Sequence, residues 1–179
     1  MDEPLGESAG NALEVAEAID CLNGEGPKDM VELALDLAAQ GSNVSREQLS
    51  RWLRDGTAWK KFVAMVEAQG GDAKVVADHS RLEVAKEVLE VRAPRAGFVA
   101  GIDALGIGLA GVAMGAGRTR ADQKVDPTVG IEIDAKPGDA VQVGQTVARI
   151  FVRTRSAGEP LLERVATAFS YADAAPAVR

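Results

Sequence analysis

Apolar residues recur at helical spacing through the first seventy positions and at alternating spacing after residue 129, so the chain divides by period. In residues 10–22, Ala12, Val15, Ala16, Ile19 and Leu22 fall on one stripe, with Asn11 as the expected N-cap and Gly24 and Gly26-Pro27 as the stop. A second stripe of Met30, Leu33, Ala34, Leu37 and Ala38 opens at Asp29 and ends at Gly41. Ser45 caps a third expected helix with Leu49, Trp52 and Leu53 on its inner face. A fourth, over 57–69, carries Trp59, Phe62, Val63 and Val66 until Gly70-Gly71 ends it.

Past His79 the pattern changes. Val84, Val88 and Val91 lead into an extended run over 93–99. Ile131 and Ile133 then alternate with Glu132, and Val141 and Val143 with Gln142, which is the period of half-buried sheet. Residues 158–169 read as a helix, and 175–179 as a frayed end. The expected fold class is α+β, divided near residue 80 into a helical part, 1–80, and a strand-rich part, 81–179.

Composition refines this picture in two ways. The 179 residues are 46% hydrophobic and 26% charged, as in ordinary globular domains, but only 4% are aromatic and 19 are glycine. The core must then be built from small aliphatic side chains, which favours close backbone approach. A net charge of −7 argues against nucleic acid as the main partner, since duplex binding needs surplus cations. Cys21 is the one cysteine, which excludes an intramolecular disulfide and a thiolate zinc site and points to a reducing compartment, the cytoplasm. The start, Met-Asp-Glu-Pro-Leu-Gly, has neither a basic nor an apolar signal region, and no run of about 18 apolar residues occurs. Neither a signal peptide nor a membrane span is expected.

Several local motifs carry candidate chemistry. Gly106-Ile-Gly-Leu-Ala-Gly111 has the spacing of a dinucleotide-binding turn, and Glu132 meets by count the requirement for a later acid. Met114-Gly-Ala-Gly117 soon interrupts the helix that such a turn must open, so a tightly packed glycine-rich helix is the competing reading. His79 lacks converging partners in sequence and reads as solvated, and Trp52 and Trp59 read as core. Arg118, Arg120, Asp122, Lys124 and Asp126 form either a solvated loop or a mobile flap over an anionic ligand. Lys136-Pro-Gly-Asp139, followed by Gly144-Gln145, resembles the hammerhead of biotinyl and lipoyl carrier domains, with residues 92–99 as its other half. No hairpin carries the lysine flanked by Met or Asp that a swinging arm needs, so this unit reads as scaffold.

Four stretches taken in order are more specific than any of these motifs. They are Met1 to Ala18 with Asn23-Gly24 and Gly26-Pro27, then Phe62 to Asp72. Gly97-Phe-Val-x-x-Ile-Asp103 with Met114-Gly-Ala-Gly-Arg118 comes third, and Asp126-Pro-Thr-Val-Gly130 with Lys136-Pro-Gly-Asp139 fourth. Together they resemble the C-terminal portion of the pyrimidine-nucleoside and thymidine phosphorylase family. The resemblance implies an origin in an enzyme in which phosphate attacks the anomeric carbon of a pyrimidine nucleoside, releasing free base and a sugar 1-phosphate. It implies the helical part of a large α/β domain over 1–80 and the family's C-terminal domain, with a hammerhead-like core, over 81–179.

In that family the groups holding phosphate and base precede the segment present here, so no catalytic or substrate-binding residue is assigned and this chain alone is expected to be inactive. A biotinyl or lipoyl carrier or adaptor is the alternative. The resemblance further implies a potassium-like monovalent cation held partly by main-chain oxygens of Leu5 and Ser8 and by the Glu17 carboxylate, since hard cations prefer oxygen. It implies no organic cofactor, phosphate and pyrimidine nucleoside as ligands of the full-length enzyme, a homodimer, and no nucleic acid or membrane partner. Arg118 and Arg120 would lie on a flap that folds toward the active-site cleft.

Overall fold

The computed structural model describes residues 3–176, so part of the expected frayed end, at 177–179, lies outside the described residues. Helices and antiparallel sheets are both present, and the chain is α+β. Two compact units divide it: residues 1–14 join 83–179 in one, and 15–82 form the other.

The first unit holds two sheets. One has the order β1 (Ser8–Ala9), β4 (Gly130–Ile133), β6 (Thr146–Val152), β2 (Glu87–Arg92), and the other β5 (Ala140–Val141), β3 (Gly97–Ile102), β7 (Phe169–Ala172), all pairs being antiparallel. Two helices, α6 (Ala104–Met114) and α7 (Arg155–Thr167), share one core with these sheets. β6 is central in its sheet, so Val147, Ala148, Ile150 and Val152 are all buried. Phe169 is the one aromatic among the buried core residues, and small side chains allow the close contacts expected of them. A Cβ on Gly158 of α7 would stand 2.9 Å from both Leu89 Cδ1 and Val152 Cγ2, so glycine lets the helix lie down on β2 and β6.

The alternation at Ile131 and Ile133 is observed, with both side chains buried and Glu132 between them half-buried. At Val143 it is not. β5 ends at Val141 because Gly144, at φ +78°, turns the chain, and Val143 is 69% exposed. The final helix starts three residues earlier than expected, at Arg155, and ends at Thr167, so Phe169, expected in the helix, instead opens β7, which continues through residues left unassigned.

The second unit is helical. α1 (Asn11–Asn23) begins among the residues of the first unit and continues into this one, followed by α2 (Lys28–Gly41), α3 (Arg46–Arg54), α4 (Thr57–Ala68), α5 (Ala73–Ala77) and a single 3-10 turn over His79–Arg81. Ser45 caps α3 by accepting from the Gln48 amide at 3.2 Å, as its position predicts. Asn11 is not the cap of α1: Gly10 precedes the helix, its carbonyl accepts from the Glu14 amide at 2.8 Å, and the Glu14 carboxylate reaches back to the Gly10 amide at 2.9 Å. No residue of α2, α3 or α4 is buried.

Candidate functional site

The segment that carries Leu5 and Ser8 is built into the strand-rich unit by four sets of backbone contacts. Ser8 and Ala9 pair with Glu132 and Ile131. The Ile133 amide donates to the Glu7 carbonyl at 2.7 Å. Downstream, the Ala12 amide, one of the orphan donors at the start of α1, donates to the Pro127 carbonyl at 3.0 Å. Finally, Gly10 and Gly130 face each other so closely that a Cβ on Gly10 would lie 2.6 Å from the Val129 carbonyl oxygen and 2.7 Å from Gly130 Cα. The stretch from Pro127 to Ile133 is therefore the seam that holds the N-terminal segment.

One side chain reinforces it. The Lys136 ammonium donates to the Pro4 carbonyl at 3.1 Å and also to the Gly6 carbonyl. Lys136 comes from the Pro-Gly turn, whose geometry Asp139 fixes by accepting from the Lys136 amide at 2.8 Å. A tethered cation thus sits on main-chain oxygens that alternate in sequence with Leu5. The carbonyls it meets are those of Pro4 and Gly6, not the main-chain oxygens of Leu5 and Ser8 at which a monovalent cation is expected. Those two residues belong to the first unit and Glu17, which is buried on α1, to the second. Among the described residues no three His, Cys, Asp or Glu side chains group as a metal set. Lys136 had no local signal for this role, since its partners lie 130 and 132 positions away.

Immediately before the seam, Asp126 is surrounded by donors. Arg153 approaches its carboxylate with Nε at 2.8 Å and Nη2 at 3.1 Å, and Thr128 donates its hydroxyl at 2.7 Å and its amide at 3.0 Å. Hydrogen bonding from Arg153, followed by that from Thr128, outweighs partial burial and holds the Asp126 carboxyl well below the ordinary aspartate value. The Asp126 amide in turn donates to the Gly115 carbonyl at 2.8 Å, which closes the base of the loop carrying Arg118 and Arg120. Both arginines are exposed. Arg120 forks onto Asp122 at 3.1 and 3.0 Å, and Arg118 reaches the Ala121 carbonyl at 3.4 Å.

A second charge cluster crosses the sheet. Arg149 on β6 stands opposite Glu132 on β4, contacts it at 2.9 Å, and forks onto Asp134 at 2.7 and 3.0 Å, with its guanidinium 5.9 Å from the Phe151 ring centre. Burial raises the Glu132 carboxyl above its ordinary value despite Arg149, helped by the like charges of Asp134 and Glu7.

The rival motifs resolve into scaffold. Gly106 to Gly111 lies within α6, whose N-cap is Asp103, accepting from the Leu105 amide at 3.0 Å. A Cβ on Gly106 would meet Asp103 Oδ2 at 2.9 Å, so the glycine makes room for a capping carboxylate, the wrong charge for cradling phosphate. His79 lies 3.5 Å from Asp20 within the helical unit, so the histidine read as solvated has a carboxylate neighbour. No helix among the described residues is long and apolar enough to cross a membrane.

Residues 98–172 match the family described as pyrimidine nucleoside phosphorylase C-terminal domain. A pyrimidine-nucleoside phosphorylase of Geobacillus stearothermophilus is 41% identical over 160 residues, which cover 84% of this chain and 37% of that protein. The Bacillus subtilis pyrimidine-nucleoside phosphorylase is 38% identical over 168 residues, 89% of this chain and 39% of the relative. A third, from Staphylococcus haemolyticus, is 39% identical over 159 residues, with 84% and 37% coverage. The chain therefore spans under two-fifths of the length of the curated relatives it matches. Nothing in these comparisons supports a carrier domain, and the lysine of the Pro-Gly turn is bound to carbonyls.

Proposed function

We propose, from the chain's membership in the pyrimidine-nucleoside phosphorylase family, whose C-terminal portion it represents, that it serves as the scaffold portion of an enzyme cleaving pyrimidine nucleosides with phosphate. In that reaction a phosphate oxygen adds to the anomeric carbon as the glycosidic bond breaks, and the base departs with the bonding electrons, leaving a (deoxy)ribose 1-phosphate. Negative charge develops on the leaving base and must be met by donors. The observation that carries the reading is identity of 38–41% over 84–89% of this chain to proteins of that name.

The roles assigned to this chain are supporting ones. The main-chain oxygens of Leu5 and Ser8 and the Glu17 carboxylate contribute to a monovalent-cation site, for which the ammonium-binding backbone at Pro4 and Gly6 is the supporting observation. A bound cation there supplies a fixed positive charge that orders the oxygens around it. Arg118 and Arg120 ride on a flap that brings positive potential toward phosphate. Residues 1–80 belong to the enzyme's large α/β domain, 81–179 to its C-terminal domain with a hammerhead-like core, and the assembled enzyme is a cytoplasmic homodimer. The chain alone is predicted to release no free base from thymidine or uridine in the presence of phosphate. Phosphate-dependent turnover by the isolated chain overturns the reading.

A further inference from the structure

The loop that follows α6 carries Arg118 and Arg120 and closes on itself. The Thr119 amide and hydroxyl both donate to the Gln123 side-chain oxygen, at 3.1 and 3.2 Å, and the Gln123 amide donates to the Arg120 carbonyl at 3.2 Å. With Arg120 also forked onto Asp122, the tip is a small body held together by its own residues, and its aim is set at its base. On one side of that base Gly115, at φ +102°, ends α6, and its carbonyl accepts from the Asp126 amide at 2.8 Å. On the other side the base is anchored through the Asp126 carboxylate. Thr128 belongs to the same stretch as Asp126, so among the described residues the partner that ties this carboxylate to another element is Arg153, directly after β6. Val152 before it lies in the core, which fixes where the guanidinium starts, and the remaining edge of that guanidinium meets Glu83 at 3.3 Å.

We propose that Arg153 is the positioning residue of this loop: by holding Asp126 it sets where Arg118 and Arg120 point when phosphate is bound. The proposal rests on the functional reading above, in which those two arginines bring positive potential toward phosphate. A guanidinium forked onto a carboxylate fixes direction as well as distance, which a single ammonium does not. The Asp126 carboxyl, held below the ordinary aspartate value, keeps the fork charged at neutral pH. Without the fork, Gly115 is the place in the base where the chain can rotate at little steric cost, so the loop would swing as a unit. Phosphate carries its charge before and during the reaction alike, so misaimed cations weaken phosphate binding and leave the rate of the bound complex in place.

The test uses a chimera in which this chain replaces the matching C-terminal portion of the Bacillus subtilis phosphorylase. Arg153→Met, at a side chain 55% exposed, is expected to raise KM for inorganic phosphate about tenfold, with kcat and KM for thymidine within about twofold of the parent. Arg153→Lys is expected to recover part of the loss. A bond that only stabilises the fold would lower the active fraction, and so kcat, without moving KM, and that pattern overturns the proposal. In a variant already carrying Arg118→Ala and Arg120→Ala, whose phosphate KM is itself raised, adding Arg153→Met is expected to change nothing further; an additional rise overturns an action through the loop. A second readout needs no turnover: inorganic phosphate is expected to slow tryptic cleavage after Arg118 and Arg120, and Arg153→Met to move the midpoint of that protection about tenfold higher. A midpoint that stays in place refutes this inference alone. Absence of any protection, or a phosphate KM unmoved by Arg118→Ala with Arg120→Ala, refutes the role given to the two arginines in the functional reading, and the inference falls with it.

Discussion

Replacing Gly130 with alanine probes whether the N-terminal segment is a structural part of the strand-rich unit. The new Cβ would stand 2.7 Å from Leu13 Cδ1, 2.8 Å from the Ala9 carbonyl oxygen and 3.2 Å from Gly10 Cα. Leu13 can turn its side chain, but Ala9 is held by its pairing with Ile131, so backbone must separate along β1 and β4. Overpacking of this kind costs about 1–3 kcal/mol, and a rigid carbonyl places the cost near the top. The reduced freedom of the unfolded chain returns about 0.4–1 kcal/mol, leaving a net loss of about 2 kcal/mol. Gly144→Ala is the control: φ is +78°, no atom lies within 4 Å, and the left-handed conformation alone costs about 1 kcal/mol. Urea unfolding compares the two, and hydrogen exchange at the Ala12 and Ile133 amides, which donate to Pro127 and Glu7, localises the effect. A Gly130→Ala variant no less stable than the control, with those two amides exchanging at the wild-type rate, refutes the seam.

The charge clusters predict opposite outcomes for two neighbouring acids. Asp126→Asn is expected to lower stability by about 1–2 kcal/mol near neutral pH, since charge-assisted bonds from Arg153 are lost on a partly exposed site. Because the folded-state carboxyl lies below 3.8, this difference is fully present above about pH 4 and shrinks as pH falls through the folded-state value; urea midpoints near pH 7, 5 and 3.5 read it, and a gap that closes between pH 7 and 5 contradicts the assignment. Glu132 is raised above 4.5, so its folded state favours the protonated form, whose support for folding is full below about that pH and is lost as pH rises through the higher folded-state value. Glu132→Gln should therefore be neutral or stabilising near pH 7, and a loss beyond about 1 kcal/mol in the same titration argues that Arg149 outweighs burial. Lys136→Met should cost about 1–2 kcal/mol and accelerate limited proteolysis within residues 3–9; unchanged cleavage there means the ammonium does not hold the segment.

Helices α2 to α4 were legible because each combines a 3.6-residue stripe with a local punctuator, as Ser45 and Gly41 illustrate. What the stripe could not reveal is how little of it is covered: Leu33 and Leu37, which periodicity places inward, are 42% and 59% exposed. β1 was illegible for a simple reason: two residues carry no period, and their pairing depends on Gly130 more than a hundred positions away. The same holds for the site. Pro-Gly and Gly-rich turns announced hairpins, but the bonds that matter, Lys136 to Pro4 and Gly6 and Arg153 to Asp126, join residues with no local relation. Val143 shows the converse, where apparent alternation stops at a turn that Gly144 dictates.

Activity of the chimera tests the central claim most directly. With this chain in place of the C-terminal portion of the Bacillus subtilis phosphorylase, release of free base from thymidine and uridine is predicted to depend on phosphate and to yield sugar 1-phosphate in equal amount. A chimera that unfolds cooperatively, and so is folded, yet releases no base at any phosphate concentration contradicts the account.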